Sequence, residues 1–115
     1  MSSTRTIRRG DVVAVADRSG DYTGKPRPAV VVQSDLFGVL DSVTICPLTS
    51  VATDAPVVRL QLDPVPGLPL EHVSWLAVDK ITTVRRSRVG PQLGRLPPAD
   101  IQRMNGALAV FLGIG

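Results

Sequence analysis

The chain has few of the residues on which metal sites and covalent cross-links depend. Its 115 residues include one cysteine, Cys46, and one histidine, His72. One cysteine excludes a disulfide within the chain, and a single His–Cys pair is too small a ligand set for zinc. Two histidines exchanging protons on a substrate are excluded as well. We therefore expect no metal and no cofactor, and the cysteine usage suits a reducing cytoplasm.

Long hydrophobic runs are also missing. No apolar stretch approaches the roughly 20 residues that a membrane-spanning helix requires. The first ten residues contain arginines without an apolar stretch after them, so they predict neither a signal peptide nor a membrane anchor. No P-loop, dinucleotide fingerprint or Gly-x-Ser-x-Gly motif occurs in the chain. We expect a cytoplasmic protein that does not associate with a membrane.

Size and charge are the next constraints. A chain of this length with 43% hydrophobic residues is expected to form one domain over residues 1–115, with residues 1–8 as a flexible tail. The net charge is +3 and the pI is about 9.8. Positive charge favours an anionic partner such as nucleic acid, because each phosphate contact releases counterions.

Most of the chain has the composition of β-strands. Ten glycines and ten prolines divide it into short segments that are rich in valine, isoleucine and threonine. Strands are predicted at residues 12–16, 29–33, 43–48, 57–62, 73–78 and 81–84. In the fourth strand, alternation predicts Leu60 and Leu62 inward and Arg59 outward. Short strands at this spacing indicate a mainly β fold built as a small barrel.

The last part of the chain has a helical period instead. Its apolar residues recur at steps of three and four and define one helical face: Ile101, Met104, Leu108, Phe111 and Leu112. Pro98 suits the first turn of this helix and Gly113 suits its end. A single amphipathic helix cannot bury its apolar face alone, so it is expected to pack on the barrel, on a second copy of the chain, or on both.

Arginine and hydroxyl groups are the side chains left for chemistry. Arg27 lies between two prolines, where a glycine-containing loop at 17–26 precedes the most apolar strand. A guanidinium there offers a planar donor fork to phosphate, although spacing alone favours an ordinary surface arginine. Thr49 and Ser50 end the third strand and suit either phosphate binding or a polar turn. Asp11 is interpreted as a structural turn or cap residue.

Four blocks of sequence resemble the MazF/PemK-type toxins of bacterial toxin–antitoxin pairs. They occur in the family's order at residues 9–13, 24–31, 45–50 and 78–84. The ending from Leu96 to Gly113 is similar to the family's closing helix. Each block alone is weak evidence for the resemblance. The four blocks occur in the family's order, and with the closing helix the resemblance covers nearly the whole chain from Arg8 onward.

The resemblance implies a fold, an activity and partners. The fold would be an SH3-like β-barrel of the CcdB/PemK type with a C-terminal helix, assembled as a homodimer. The activity would be metal-independent, sequence-specific cleavage of single-stranded RNA to a 2′,3′-cyclic phosphate and a 5′-hydroxyl. The family's catalytic arginine and threonine correspond to Arg27 and Thr49. The second partner would be a MazE-like cognate antitoxin with a disordered acidic tail.

RNA recognition is expected from the loops around the catalytic pair. The residues predicted to bind RNA are Asp21, Tyr22, Thr23, Lys25, Ser50, His72 and Asp79. Two positions depart from relatives. Asp21 and Tyr22 occur where some relatives carry a glutamate, and Ala77 occurs where some carry a basic residue. The general base is therefore not identified by the resemblance.

Two other classes of function remain open on sequence alone. A toxin of the CcdB type shares the barrel but binds a protein target, DNA gyrase, and would need neither Arg27 nor Thr49. A small barrel that binds nucleic acid without cutting it is the second alternative. Retention of both catalytic positions favours the endoribonuclease.

Overall fold

A computed structural model describes residues 6–16, 26–52, 55, 57–68 and 70–115. The described residues form seven strands: β1 Asp11–Val15, β2 Arg27–Val31, β3 Ser42–Thr49, β4 Arg59–Leu62, β5 Ser74–Ala77, β6 Thr82–Arg85 and β7 Val89–Arg95. One α-helix, α1 Pro98–Leu112, follows them. Short 3₁₀ helices occupy Asp35–Phe37, Val78–Lys80 and Arg86–Arg88.

The strands form one antiparallel sheet in the order β4-β5-β3-β2-β1-β7, with β6 also paired to β3. The eight-residue β3 is central, because it pairs with β6 along its first half, with β2 in its middle and with β5 at its end. β4 and β7 are the two ends of this strand order. The Arg95 N–H donates to the Gly67 carbonyl at 3.0 Å, which joins β7 to the loop after β4. The predicted mainly β fold with a C-terminal helix is confirmed.

Alternation along the strands divides the core between two faces of the sheet. The face toward α1 buries residues that include Val12, Val30, Cys46, Leu48 and Leu76 with Met104 of the helix. The opposite face buries their chain neighbours, among them Val13, Ala29, Val31 and Ile45. Because β2 and β3 are buried on both faces, their end residues are held in fixed positions.

The six predicted strands are all present, with their ends shifted by at most two residues. The connection between the fifth and sixth predicted strands forms the 3₁₀ helix Val78–Lys80. The prediction that the Arg59 side chain points outward is wrong, because this side chain is only 10% exposed and forms an ion pair with Asp79. Strand β7 was not predicted, since Gly90, Pro91 and Gly94 interrupt any strand pattern.

The helix begins and ends where its sequence predicts. Pro98 is its first residue, and Gly113 ends it with a positive φ of 71°. Its expected apolar face is only partly buried, since Phe111 and Leu112 are 41% and 50% exposed. No helix within the described ranges is both long enough and apolar enough to cross a membrane.

Candidate functional site

The pairing of β2 with β3 brings the two predicted catalytic residues together. Ala29 lies opposite Pro47 in this antiparallel pair. Arg27 precedes Ala29 by two residues and Thr49 follows Pro47 by two residues, so both lie just beyond this pairing, at neighbouring ends of the two strands. Both side chains line one cleft of about 690 Å³, called here the Arg27–Thr49 cleft. Sheet register therefore assembles the pair from residues that are 22 positions apart.

Arg27 is the first residue of β2 and is exposed. Arg27 pairs with Val15 of the adjacent strand β1, and the buried Val15 holds the backbone of Arg27 in place. The guanidinium donates to no atom of the described residues, whereas nearby Arg88 donates twice to the Ala16 carbonyl, at 3.1 and 2.7 Å. The donor fork of Arg27 is thus available to an anion in the cleft.

Thr49 is the last residue of β3 and is partly buried. Its hydroxyl oxygen accepts a hydrogen bond from the Val51 N–H at 3.1 Å. Since a hydroxyl can accept and donate at once, this contact orients the oxygen and leaves its proton for a ligand. Ser50 is exposed and lines the same cleft.

His72 lies next to this cleft rather than within it. It lines a neighbouring cavity of about 460 Å³, called here the His72 cavity. The cavity and the cleft share Pro28, Ser50, Glu71 and Ser74 as lining residues, so they adjoin. A single-stranded nucleic acid that occupied both the cleft and the cavity would extend from His72 to Arg27.

Asp79 is not brought into the cleft. Its two carboxylate oxygens accept hydrogen bonds from Arg59 Nε at 2.7 Å and Nη2 at 3.0 Å. The hydrogen bonds from Arg59 hold the pKa of Asp79 below its ordinary value. An RNA-binding role was predicted for Asp79, but the structure places it in an ion pair that joins β4 to the 3₁₀ helix Val78–Lys80.

Asp79→Asn is expected to lower the free energy of unfolding at pH 7. A lowered carboxylate pKa contributes stability above the ordinary value of about 3.9, and the contribution is lost as pH falls through the lowered pKa of the folded state. Urea unfolding of the wild type and Asp79→Asn at falling pH should show the two stabilities converging. Asp41→Asn, at an exposed position, is the control. If the difference in unfolding free energy between the wild type and Asp79→Asn stays constant down to the lowest pH, the ionised carboxylate of Asp79 is not the cause of that difference.

Four residues predicted to bind RNA lie outside the described residues: Asp21, Tyr22, Thr23 and Lys25. Three cleft residues were missed by the sequence analysis, namely Glu71, Ser74 and Lys80. Lys80 directly follows Asp79 in the fourth family block, and Glu71 directly precedes His72. Adjacency to a predicted site residue is the feature that points to both.

Cys46 is not a candidate nucleophile. It is fully buried in β3, and burial raises the pKa of its thiol to about 12. The nucleophilic form of cysteine is the thiolate, which such a pKa makes rare at neutral pH.

Fold and cleft together define a small, mainly β protein with a cleft whose side chains have the chemistry to bind phosphate. The site combines a guanidinium, an ammonium and hydroxyls, which are the groups that bind phosphate oxygens.

Comparison with known proteins identifies the family. Residues 8–112 match the family described as the PemK-like, MazF-like toxin of type II toxin–antitoxin systems. A protein of Mycolicibacterium smegmatis named probable endoribonuclease MazF is 48% identical over 108 residues, which are 94% of this chain and 98% of that protein. This chain belongs to the PemK/MazF toxin family, as the sequence blocks predicted.

Solved structures share the fold. A mycobacterial endoribonuclease in complex with its cognate antitoxin is 25% identical, with a TM-score of 0.73 over 94% of this chain and 96% of that one. A MazE–MazF structure from Deinococcus radiodurans is 26% identical, with a TM-score of 0.74 over 96% of this chain and 99% of that one. The alignment thus extends over almost the full length of each protein.

Proposed function

We propose that this protein is the toxin of a toxin–antitoxin pair and acts as a metal-independent, sequence-specific endoribonuclease on single-stranded RNA. The observation that carries the proposal is the single cleft that Arg27 and Thr49 line at the neighbouring ends of the paired strands β2 and β3. A toxin that only binds a protein target would need neither side chain there. The relative named probable endoribonuclease MazF adds support.

The chemistry is transesterification within the RNA. The 2′-oxygen attacks the adjacent phosphorus, and the bond to the 5′-oxygen breaks. The products are a 2′,3′-cyclic phosphate and a 5′-hydroxyl. Arg27 stabilises the dianionic phosphorane and passes a proton to the leaving oxygen, since preorganised charge at the transition state is often the largest catalytic contribution.

Thr49 has the role of fixing the phosphate for in-line attack. Its hydroxyl, oriented by the Val51 N–H, donates to a non-bridging oxygen. Ser50 adds a second hydroxyl in the same cleft, and Lys80 adds positive charge. RNA bound along the cleft would extend into the His72 cavity.

The proposed partners follow from charge and exposed apolar surface. A net charge of +3 suits the acidic tail of a cognate antitoxin as well as RNA. A second copy of the chain would cover apolar residues that are more than 40% exposed, such as Leu36, Phe37, Val110 and Phe111. We place this complex in the cytoplasm.

The test is cleavage of a long single-stranded RNA by the purified protein in EDTA, followed by sequencing of the cut ends. Cuts at one short motif with 5′-hydroxyl ends are expected. No cleavage, together with binding of the protein to gyrase, would favour the CcdB type. Binding of RNA without any cut would favour the non-catalytic barrel.

A further inference from the structure

The loop that precedes β5 presents a carboxylate to the Arg27–Thr49 cleft. Glu71 is the only glutamate in the chain, and among the described residues it is the only carboxylate that lines this cleft. It is exposed, and no described residue forms an ion pair or hydrogen bond with its side chain. An ionised carboxylate only accepts hydrogen bonds, so it can receive a proton from a substrate hydroxyl.

Contacts on both sides of Glu71 fix its position. Before it, Leu68 is buried in the core and its carbonyl accepts from the Leu70 N–H at 2.9 Å. After it, the Ser74 hydroxyl donates to the His72 carbonyl at 3.3 Å, and Ser74 begins β5. β5 in turn pairs with the end of β3, where Thr49 lies. The loop is therefore held against the strand that carries the catalytic threonine, as a preorganised site requires.

Two other acidic residues near the sheet, Asp79 and Asp11, are engaged elsewhere. Both oxygens of Asp79 are bound by Arg59, as described above. Asp11 is buried and accepts from Gln92 and Arg95. Neither lines the cleft. Among the described carboxylates, Glu71 combines access to the cleft with a free proton-accepting group.

We propose that Glu71 is the general base of the cleavage reaction, an inference that rests on the proposed ribonuclease function. A carboxylate oxygen of Glu71 takes the proton of the 2′-hydroxyl as the 2′-oxygen bonds to phosphorus. The bond between phosphorus and the 5′-oxygen breaks with its electron pair on that oxygen, which takes a proton from Arg27. Proton exchange with water then restores both side chains.

Among the described residues, three charged or titratable groups share a cleft or cavity with Glu71. Arg27 on β2 and Lys80 on the 3₁₀ helix after β5 line the same cleft. His72 follows it on its own loop and opens on the adjoining cavity. Arginine and lysine keep their charge between pH 4 and 8, whereas histidine ordinarily titrates there. Among the described residues of the cleft and the adjoining cavity, a fall of the cleavage rate in acid thus has two sources to separate, Glu71 and His72, which variants can distinguish.

The test measures single-turnover cleavage between pH 4 and 8 for the wild type, Glu71→Gln, His72→Gln and the control Asp41→Asn. Glu71→Gln is expected to cut about 100-fold more slowly at neutral pH. It should also lose the acid limb of the pH–rate profile, which His72→Gln and Asp41→Asn keep. A substrate with 2′-deoxyribose at the cut site reports binding alone. Glu71→Gln should bind it at least as tightly as the wild type, because a negative charge facing phosphate is removed.

The outcomes separate this inference from the proposed function. A wild type that does not cut RNA would remove the function itself. A wild type that cuts, beside a Glu71→Gln protein with the same rate and the same acid limb, would overturn only the role of Glu71. Loss of the acid limb in His72→Gln instead would assign the base to His72. Circular dichroism of each variant confirms that it folds.

Discussion

Arg27→Ala is expected to cut RNA about 1,000-fold more slowly than the wild type, a loss of about 4 kcal/mol of transition-state stabilisation. The guanidinium meets no acceptor among the described residues, so its donors are free for the phosphate. Removing it deletes both the charge and the proton donor for the leaving oxygen. The measurement is the single-turnover rate on an RNA that carries the cut motif. Because the side chain is exposed, the unfolding free energy should change little.

Two control variants make the effect specific. Arg27→Lys keeps the charge but loses the planar fork, so its rate should lie between those of the wild type and the alanine variant. Arg85→Ala removes an exposed arginine from β6, outside the cleft, and should keep the wild-type rate. Equal rates for Arg27→Ala and Arg85→Ala would show that Arg27 supplies no more than general positive charge.

Local pattern predicted where the site residues lie on the strands, whereas their catalytic roles were predicted from the resemblance to the family. Segments rich in apolar and β-branched residues define β2 and β3, and their ends hold Arg27 and Thr49. The pairing of the two strands was not predictable from either segment. It is set by burial on both faces of the sheet, since a shift by one residue would turn Val30 and Cys46 away from the core around Met104.

The features that were not predicted from the sequence depend on contacts between distant parts of the chain. β7 carries Gly90, Pro91 and Gly94, and it forms a strand because β1 supplies a partner through two register shifts. Arg59 was expected to face solvent, yet Asp79, 20 residues away, compensates its burial. Glu71 reaches the cleft because the loop before it is anchored by Leu68. Such placements follow from tertiary packing rather than from periodicity.

Asp11→Ala is expected to lower the free energy of unfolding by about 2 kcal/mol, because removing a buried carboxylate leaves the groups that donate to it without an acceptor. The Asp11 side chain is only 5% exposed, and Arg95 Nη1 donates to its Oδ1 at 2.9 Å. Gln92 Nε2 donates to the same oxygen at 3.0 Å, and the Arg8 N–H donates to Oδ2 at 2.9 Å. One carboxylate thereby joins the turn before β1 to β7. Urea unfolding at pH 7 measures the loss.

A double-mutant cycle tests whether the ion pair itself is the cause. If it is, Arg95→Ala and Asp11→Ala together should destabilise the protein by less than the sum of the single variants, with a coupling of about 1 kcal/mol or more. Asp11→Asn should recover part of the loss, since the amide oxygen still accepts a hydrogen bond. Cleavage per folded molecule should stay at the wild-type rate, because Asp11 does not line the cleft. A slow Asp11→Ala enzyme with unchanged stability would instead make Asp11 part of the catalytic site.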